Sequence, residues 1–588
     1  MASKQKRKKS HSLSDVKTLG LQLLSSRAHI NNLPLLLSFV SPSSPPKYVL
    51  ESLLSLQSFF LPLLPDLPSS SSSPLDKSSH DPQLIYRTWI RSKFDDFINS
   101  LIEVFVSPQS DETLEEVLLD AIMEFVKVAH GGKFSSSIYH KLLHSMVHSS
   151  DAVVFLVELL SSKYFRYMDV RYFTYISLGR FARTLEGKVG SDSKIANEDG
   201  FNESPLNPSL EHVIRNMYCT ISHVPHLESL DKPSSIEMWS ESGLLSKEHD
   251  HEQLSKEVDL DDNQMKTEKH NSNETSADKV AKKMKSKFTK AWISYLRLPL
   301  PLDVYKEVLV NLHQAVIPHL TKPIMLCDFL TRSYDVGGIV SVMALSSLHV
   351  LVTQHGLEYP DFYEKLYALL VPAIFMAKHR AKFFQLLDAC LKSELLPAYL
   401  AASFAKKLSR LLLLVSPSGA LVIIALIHNL LRRHPSINCL VHREDGDEEG
   451  KDESKTGVMP YQKKSGIDDF NDGETNPKNT RAMRSSLWET DTILQHHCPP
   501  VSRFSLSLGT DLTVRNKTSE MKVEDFSSGS YATVFGDELR RRVKQVPLAF
   551  YKETPCVFSE ADFACWTFKL EAEDDCYSPA KRQRKDCP

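Results

Sequence analysis

The chain has 588 residues, 42% hydrophobic and 24% charged, and 70 basic against 73 acidic residues leave a net charge of −3. That balance excludes bulk electrostatic attraction to nucleic acid or anionic membrane, so any polyanion must be met by a local patch. Glycine, at 20 of 588 residues, is about half the usual ~7%, which weighs against nucleotide folds that place glycine at each phosphate turn.

The length suits about two to four domains, and changes in composition divide the chain. Residues 1–14 are a basic tail carrying Lys4, Lys6, Arg7, Lys8 and Lys9. No apolar run follows them, so they are not a signal peptide. Residues 15–240 form an N-terminal helical region with a serine-rich loop near 68–80 that is expected to be disordered. Apolar residues recur there at helical spacing: Val49, Leu50, Leu53, Leu54, Leu56, Phe59 and Phe60, then Leu84, Ile85, Trp89, Ile90, Phe94, Phe97, Ile98, Leu101 and Ile102. A further stripe, Leu114 to Ala129, ends before Gly131-Gly132, where a helix stop is expected.

Residues 241–287 are dominated by charges of both signs and read as a flexible linker. A second helical block covers 288–442, punctuated by Pro301, Pro318, Pro323, Gly337-Gly338, Pro360, Pro372, Pro397, Pro417 and Pro435. An acidic insertion expected to be disordered follows at 443–480. Next come a closing segment at 481–510 with a helix over Arg481–His496, and a tail at 511–588. The tail carries possible short strands near Tyr531–Phe535 and a second basic cluster of Lys581, Arg582, Arg584 and Lys585. Successive helices with short turns predict an all-α fold, a HEAT-like α-solenoid of antiparallel helix pairs with disordered charged insertions and tails.

Val336 to Leu357 and Leu411 to Leu431 each run about twenty residues without a charge, long enough to span a bilayer. The second is broken by Ser416-Pro417-Ser418-Gly419, and the first carries serines, histidines and a glutamine, so no membrane contact is expected. The nine cysteines are scattered, with no Cys-x-x-Cys, which fits a reducing compartment and no disulfide framework.

No nucleotide, hydrolase or metalloprotease motif occurs, so neither catalytic residues nor a cofactor are expected. His140, His144 and His148 repeat every fourth residue, but the outer two are about 12 Å apart along a helix, too far to share one tetrahedral metal. His434, Cys439 and His442, and His496 to Cys498, have metal-binding side chains at loose spacing and are read as structural. Both terminal basic clusters have the character of nuclear-import signals that an import receptor would read. Basic residues also recur on successive helices of the second block: Lys378, Arg380 and Lys382; Lys406, Lys407 and Arg410; Arg432 and Arg433. Stacked in layers, they would form a ridge for phosphate or an acidic partner. Charge reversal at Lys406, Lys407 and Arg410 is then expected to weaken that contact and spare the fold.

Leu326 to Arg443 is the most specific stretch. It includes LCDFLTRSYDVGGIVSVMALSSLHVLVTQHGLEYPDFYEKLYALLVP, KHRAKFFQLLDACLKSELLPAYLAASFAKKLSRLLLLVSP and NLLRRHPSINCLVHR, and SSLWETDTILQHHCPPV follows downstream. In this order the motifs closely resemble the CCAAT-binding-factor family of nucleolar ribosome-biogenesis proteins. The positions that carry the resemblance include Asp328, Tyr334, Gly337, Gly338, Tyr359, Pro360, Tyr363, Pro397, Tyr399 and Trp488. The resemblance implies a non-catalytic helical-repeat scaffold in the nucleolus that serves small-subunit assembly and pre-rRNA processing. Its implied partners are a nucleolar protein 14 family member and the small-subunit processome with its pre-rRNA. A nuclear transport or adaptor solenoid is the alternative. Most motif positions read as structural, with Leu487-Trp488 as a buried anchor.

Overall fold

The computed structural model describes residues 12–68, 82–150, 153–192, 208–225, 237–240, 276–377, 380–393, 395–442, 468–515 and 517–541. Two compact units divide between Ser528 and Gly529. The described residues are helical, with no strand and one isolated bridge between His130 and Lys133.

The first unit starts with α1 (Leu13–Ser25), α2 (Asn32–Leu37), α3 (Pro46–Phe60), α4 (Pro82–Phe105), α5 (Glu112–Val128), α6 (Ser136–Val147), α7 (Val154–Tyr164), α8 (Met168–Asp192) and α9 (Pro208–Ser222). It continues with α10 (Ser276–Leu296), α11 (Leu302–Asn311), α12 (Cys327–Asp335), α13 (Gly338–His355), α14 (Phe362–Ala368), α15 (Arg380–Cys390), α16 (Ala398–Leu412), α17 (Pro417–Arg433), α18 (Glu489–Ile493), α19 (Pro499–Ser505) and α20 (Val523–Ser527).

Local chemistry sets many of these ends. Ser12 and Asp15 form a capping box that opens α1, and prolines stand in the first turns of α3, α17 and α19. Through α9, each helix packs on helices one to three places along the chain: α4 on α5 and α6, α5 on α6 and α7, α6 on α8 and α9. This is the helix-pair stack expected of a solenoid. Phe60, Phe94, Phe97 and Phe125 interlock at its centre with ring centroids 5.4–5.8 Å apart. The apolar stripes hold with a margin at their edges. Leu50, Leu54, Leu84 and Ile85 are exposed, and the core face of α4 begins at Ile90.

The charged stretch read as a linker does not reach 287. α10 starts at Ser276 and lies along α8, where a Cβ on Gly179 would stand 3.6 Å from the Ala291 backbone. The absent side chain lets the two helices approach closely. Residues 237–240 return to the start of α8: Asp169 accepts from Trp239 N at 2.9 Å and Ser240 N at 2.8 Å.

One helix expected to be longer is broken: Arg481–His496 reduces to a turn at Ala482–Arg484 followed by the short α18. Pro372–Met376 is a 3-10 turn ahead of α15. α13 is long and apolar enough to cross a membrane by length and composition. It buries Ser341, Ala344, Leu345, Ser347, Leu348 and Leu351 within the stack. The preceding turn uses glycine where a side chain would be strained, with Gly337 at φ 85° and Gly338 at φ 60°.

In the second unit the described element is α21 (Tyr531–Arg540), where short strands were expected. Ser530 Oγ accepts from Thr533 N and closes a capping box, and Tyr531, Phe535 and Leu539 fall every fourth residue along one face. Capping and helical spacing override the strand preference of Tyr, Thr, Val and Phe.

Candidate functional site

Five basic positions of the second block, Lys406, Lys407, Arg410, Arg432 and Arg433, lie on α16 and α17, and they bond within the protein. α16 places Lys406, Ser409 and Arg410 on one face, spaced as helical neighbours. The Lys406 ammonium is 0% exposed and donates to Glu489 Oε1 and the Ser486 carbonyl, both at 2.7 Å, with Asp468 Oδ2 at 3.0 Å. Arg410 Nη2 donates to Asp468 Oδ2 at 2.7 Å, and its Nε lies 3.0 Å from Glu489 Oε1. Ser409 Oγ donates to the other Glu489 oxygen at 2.8 Å. Two cations thus face two carboxylates, and every carboxylate oxygen has a donor or a cation beside it. A buried charge set persists only under that condition.

Asp468 is the pivot. It accepts from Ser485 Oγ at 2.6 Å, Trp488 Nε1 at 3.0 Å and Phe470 N at 3.1 Å. Burial pushes its carboxyl up, but the hydrogen bonds from Ser485, Trp488 and Lys406 outweigh that and hold it well below the usual carboxylate range. Trp488 roofs the cluster, its ring 4.9 Å from the Arg410 guanidinium and 5.4 Å from Lys406 Nζ. Trp488 is 40% exposed, so it is a cover and not the buried anchor expected of it. Leu487 is the anchor: its side chain is buried and its N–H bonds to the Leu440 carbonyl at 2.9 Å.

Lys407 turns the other way, donating to the Tyr367 carbonyl at 2.8 Å over the Tyr367 ring, and burial pushes its ammonium down to about 8. A second clasp lies on α17. Arg433 makes a bidentate pair with Asp388, both contacts at 2.9 Å, and bonds Glu520 at 3.0 and 3.1 Å. Arg432 reaches the Thr518 carbonyl at 3.3 Å, and Asn429 exchanges two bonds with the Met521 backbone. Arg380 donates to the Phe375, Ser418 and Ser527 oxygens.

The expected ridge is therefore not an exposed surface. Lys406, Lys407, Arg410, Arg380, Arg432 and Arg433 hold returning chain or neighbouring helices, Lys382 is exposed on α15, and Lys378 lies outside the described residues. Asp468 and Glu520, which complete the clasps, come from stretches read as insertion and tail. Compositional bias hid them, and acidic runs with an isolated aromatic or apolar neighbour (Asp468-Asp469-Phe470, Glu520-Met521) were the available signal. Both terminal basic clusters, Lys4 to Lys9 and Lys581 to Lys585, also lie outside the described residues.

The motif positions are mainly ties between helices. Tyr334 OH donates to the Phe362 carbonyl at 3.2 Å, Tyr363 OH to the Cys390 carbonyl at 3.2 Å, and Tyr359 OH to Asp335 at 2.8 Å. Pro360 stands exposed just ahead of α14, and Pro397 caps α16 with extended backbone. Tyr399 is half-exposed, and its carbonyl accepts from Ser403 Oγ at 2.7 Å. Asp328 is exposed in the first turn of α12. His434 is buried against the Leu391 carbonyl, and Cys439 is exposed. Among the described residues no group of three or more His, Cys, Asp or Glu side chains is placed to hold a metal. The chemistry of the clasps is that of holding chain in place.

The model of the CBF/Mak21 family matches residues 341–505, which take in the motif positions from Tyr359 to Trp488 but not Asp328 to Gly338, and that of nucleolar complex protein 4-like TPR repeats matches residues 5–187. The chain is 56% identical over 581 residues to Protein NUCLEOLAR COMPLEX ASSOCIATED 4 of Arabidopsis thaliana, across 98% of this chain and 99% of that protein. It is 31% identical to Nucleolar complex protein 4 homolog B of Xenopus laevis, across 82% of this chain and 81% of that protein. Identity to the human Nucleolar complex protein 4 homolog is 40% over 264 residues, 45% of this chain and 47% of that protein.

Proposed function

We propose, since this chain belongs to the nucleolar complex protein 4 family, that it is a non-catalytic scaffold for small (40S) ribosomal subunit biogenesis and pre-rRNA processing in the nucleolus. It works with a nucleolar protein 14 family partner, within the small-subunit processome, and enters the nucleus on its terminal basic clusters. The observation that carries the reading is similarity over almost the full chain to a protein named as nucleolar-complex-associated. The helical stack supports it, because a stack of helix pairs offers extended faces to large partners. The clasps support a scaffold as well, since their charged groups fix returning segments of chain.

The test is affinity purification of the tagged chain from nuclear extract at low and high salt. One salt-resistant partner of the nucleolar protein 14 family, recovered with small-subunit precursor RNA, is the expected result. Recovery of import receptors or unrelated cargo without precursor RNA would overturn the reading.

A further inference from the structure

The histidines of α6 stand in a groove that the clasps do not touch. Asn99, Glu103, Lys141, His140, His144 and His148 are among its lining residues, and its volume is about 880 Å³. The three imidazoles form a ladder backed by one buried ring. Phe181 of α8 lies 4.6 Å from His140, 5.5 Å from His144 and 6.2 Å from His148. His144 and His148 stack on each other, with centroids 4.0 Å apart and planes 16° from parallel. Hydrogen bonds hold the ladder: His140 Nδ1 lies 3.1 Å from Ser177 Oγ, and His148 Nδ1 donates to the His144 carbonyl at 2.9 Å.

The stacked pair turns ring faces toward each other, and not lone pairs, so a shared metal ion does not fit. Burial, with Arg180 and His144 beside it, pushes His140 down to about 4, and burial, His148 and Lys188 lower His144. Both rings are therefore neutral at pH 7. Lys141 on α6 and Arg180 and Lys188 on α8 bring positive charge to the ladder, and Glu103 is the carboxylate among the groove's lining residues. Flat, half-open rings beside several cations match the two chemistries of a single-stranded polynucleotide, whose bases stack and whose phosphates are negative. An acidic peptide would use the cations and leave the ladder without a role.

We propose that this groove binds single-stranded RNA, with a nucleobase extending the His144–His148 stack and neighbouring phosphates meeting Lys141, Arg180 and Lys188. The inference deepens the reading above, which includes RNA contact, by locating that contact on the N-terminal helices.

The test measures binding of the full chain to a labelled RNA of about twelve nucleotides by fluorescence anisotropy, beside an abasic oligomer of the same length. The H144A/H148A variant is expected to weaken RNA binding about ten-fold and to leave abasic binding unchanged. H144F/H148F, which keeps the flat faces, restores RNA binding. Lys141→Ala lowers the salt slope by about one. Far-UV circular dichroism matching that of the parent establishes that the variants fold.

Absence of RNA binding by the parent chain, equal binding by the alanine variant, or failure of the phenylalanine pair to restore it would each overturn the proposal. So would loss of a protein partner from the alanine variant in nuclear extract with RNA retained. Because the oligonucleotide assay uses purified chain, it can fail while the purification from extract still recovers the nucleolar complex, and the reverse.

Discussion

The N-terminal stack and the second helical block bury similar aliphatic and aromatic side chains but close in different ways. Around Phe60, Phe94, Phe97 and Phe125 the helices that touch are near neighbours in the chain, and the contacts are apolar. Around α16 and α17 the closing contacts are charged. They join residues far apart in sequence, Lys406 with Glu489 and Arg433 with Glu520. Apolar packing tolerates substitutions that conserve volume, whereas a buried ion pair tolerates the loss of both partners far better than the loss of one. The first region is a repeat that adds helices locally. The second is a block bound by returning chain.

That contrast can be broken at single residues. Lys406→Ala leaves the Glu489 carboxylate buried with part of its compensation gone, and is expected to cost about 3–5 kcal/mol in denaturant unfolding. Phe97→Ala costs a similar ~3–5 kcal/mol through its cavity, but Phe97→Leu recovers most of that, while a conservative change at Lys406 alone recovers little. Arg433→Ala removes the bidentate pair with Asp388 and is expected to cost about 1.5–3 kcal/mol. The smallest effect is on acidification. The Asp468 carboxyl in the fold is held below its ordinary value of 3.8, so it contributes stability above that pH and loses it as pH falls toward the depressed value. Asp468→Asn should therefore flatten the acid limb of the stability profile, measured by urea midpoints between about pH 5 and 2.

Much of the repeat was legible because its signal is periodic. Val49, Leu53, Leu56 and Phe60 predict one buried face, and that face is buried. The margins were not legible: Leu84 and Ile85 fit the same period as Ile90 yet stand in solvent, since period alone does not say where a neighbouring helix ends. The clasps were less legible still. Lys406 and Arg410 look like an ordinary solvated face of a helix, and only the return of Asp468 and Glu489 across 58 and 83 positions converts them into internal groups. For the same reason the charge-reversal test suggested by the sequence would damage the fold before it reported on a surface. The histidine ladder was visible as a four-residue spacing, but its groove and backing ring depend on α4 and α8, which the spacing does not contain.

The central claim is that the conspicuous cations of the second block hold it together from within. A double-mutant cycle on Lys406 and Glu489, read by denaturant unfolding of the full chain, tests it most directly. The account predicts a large loss for Lys406→Met alone and for Glu489→Leu alone, and a combined K406M/E489L variant that recovers most of it, with coupling above about 2 kcal/mol. Additive single effects of a few tenths of a kcal/mol, with reduced association with ribosomal precursors, would instead make Lys406 a surface group and contradict the account.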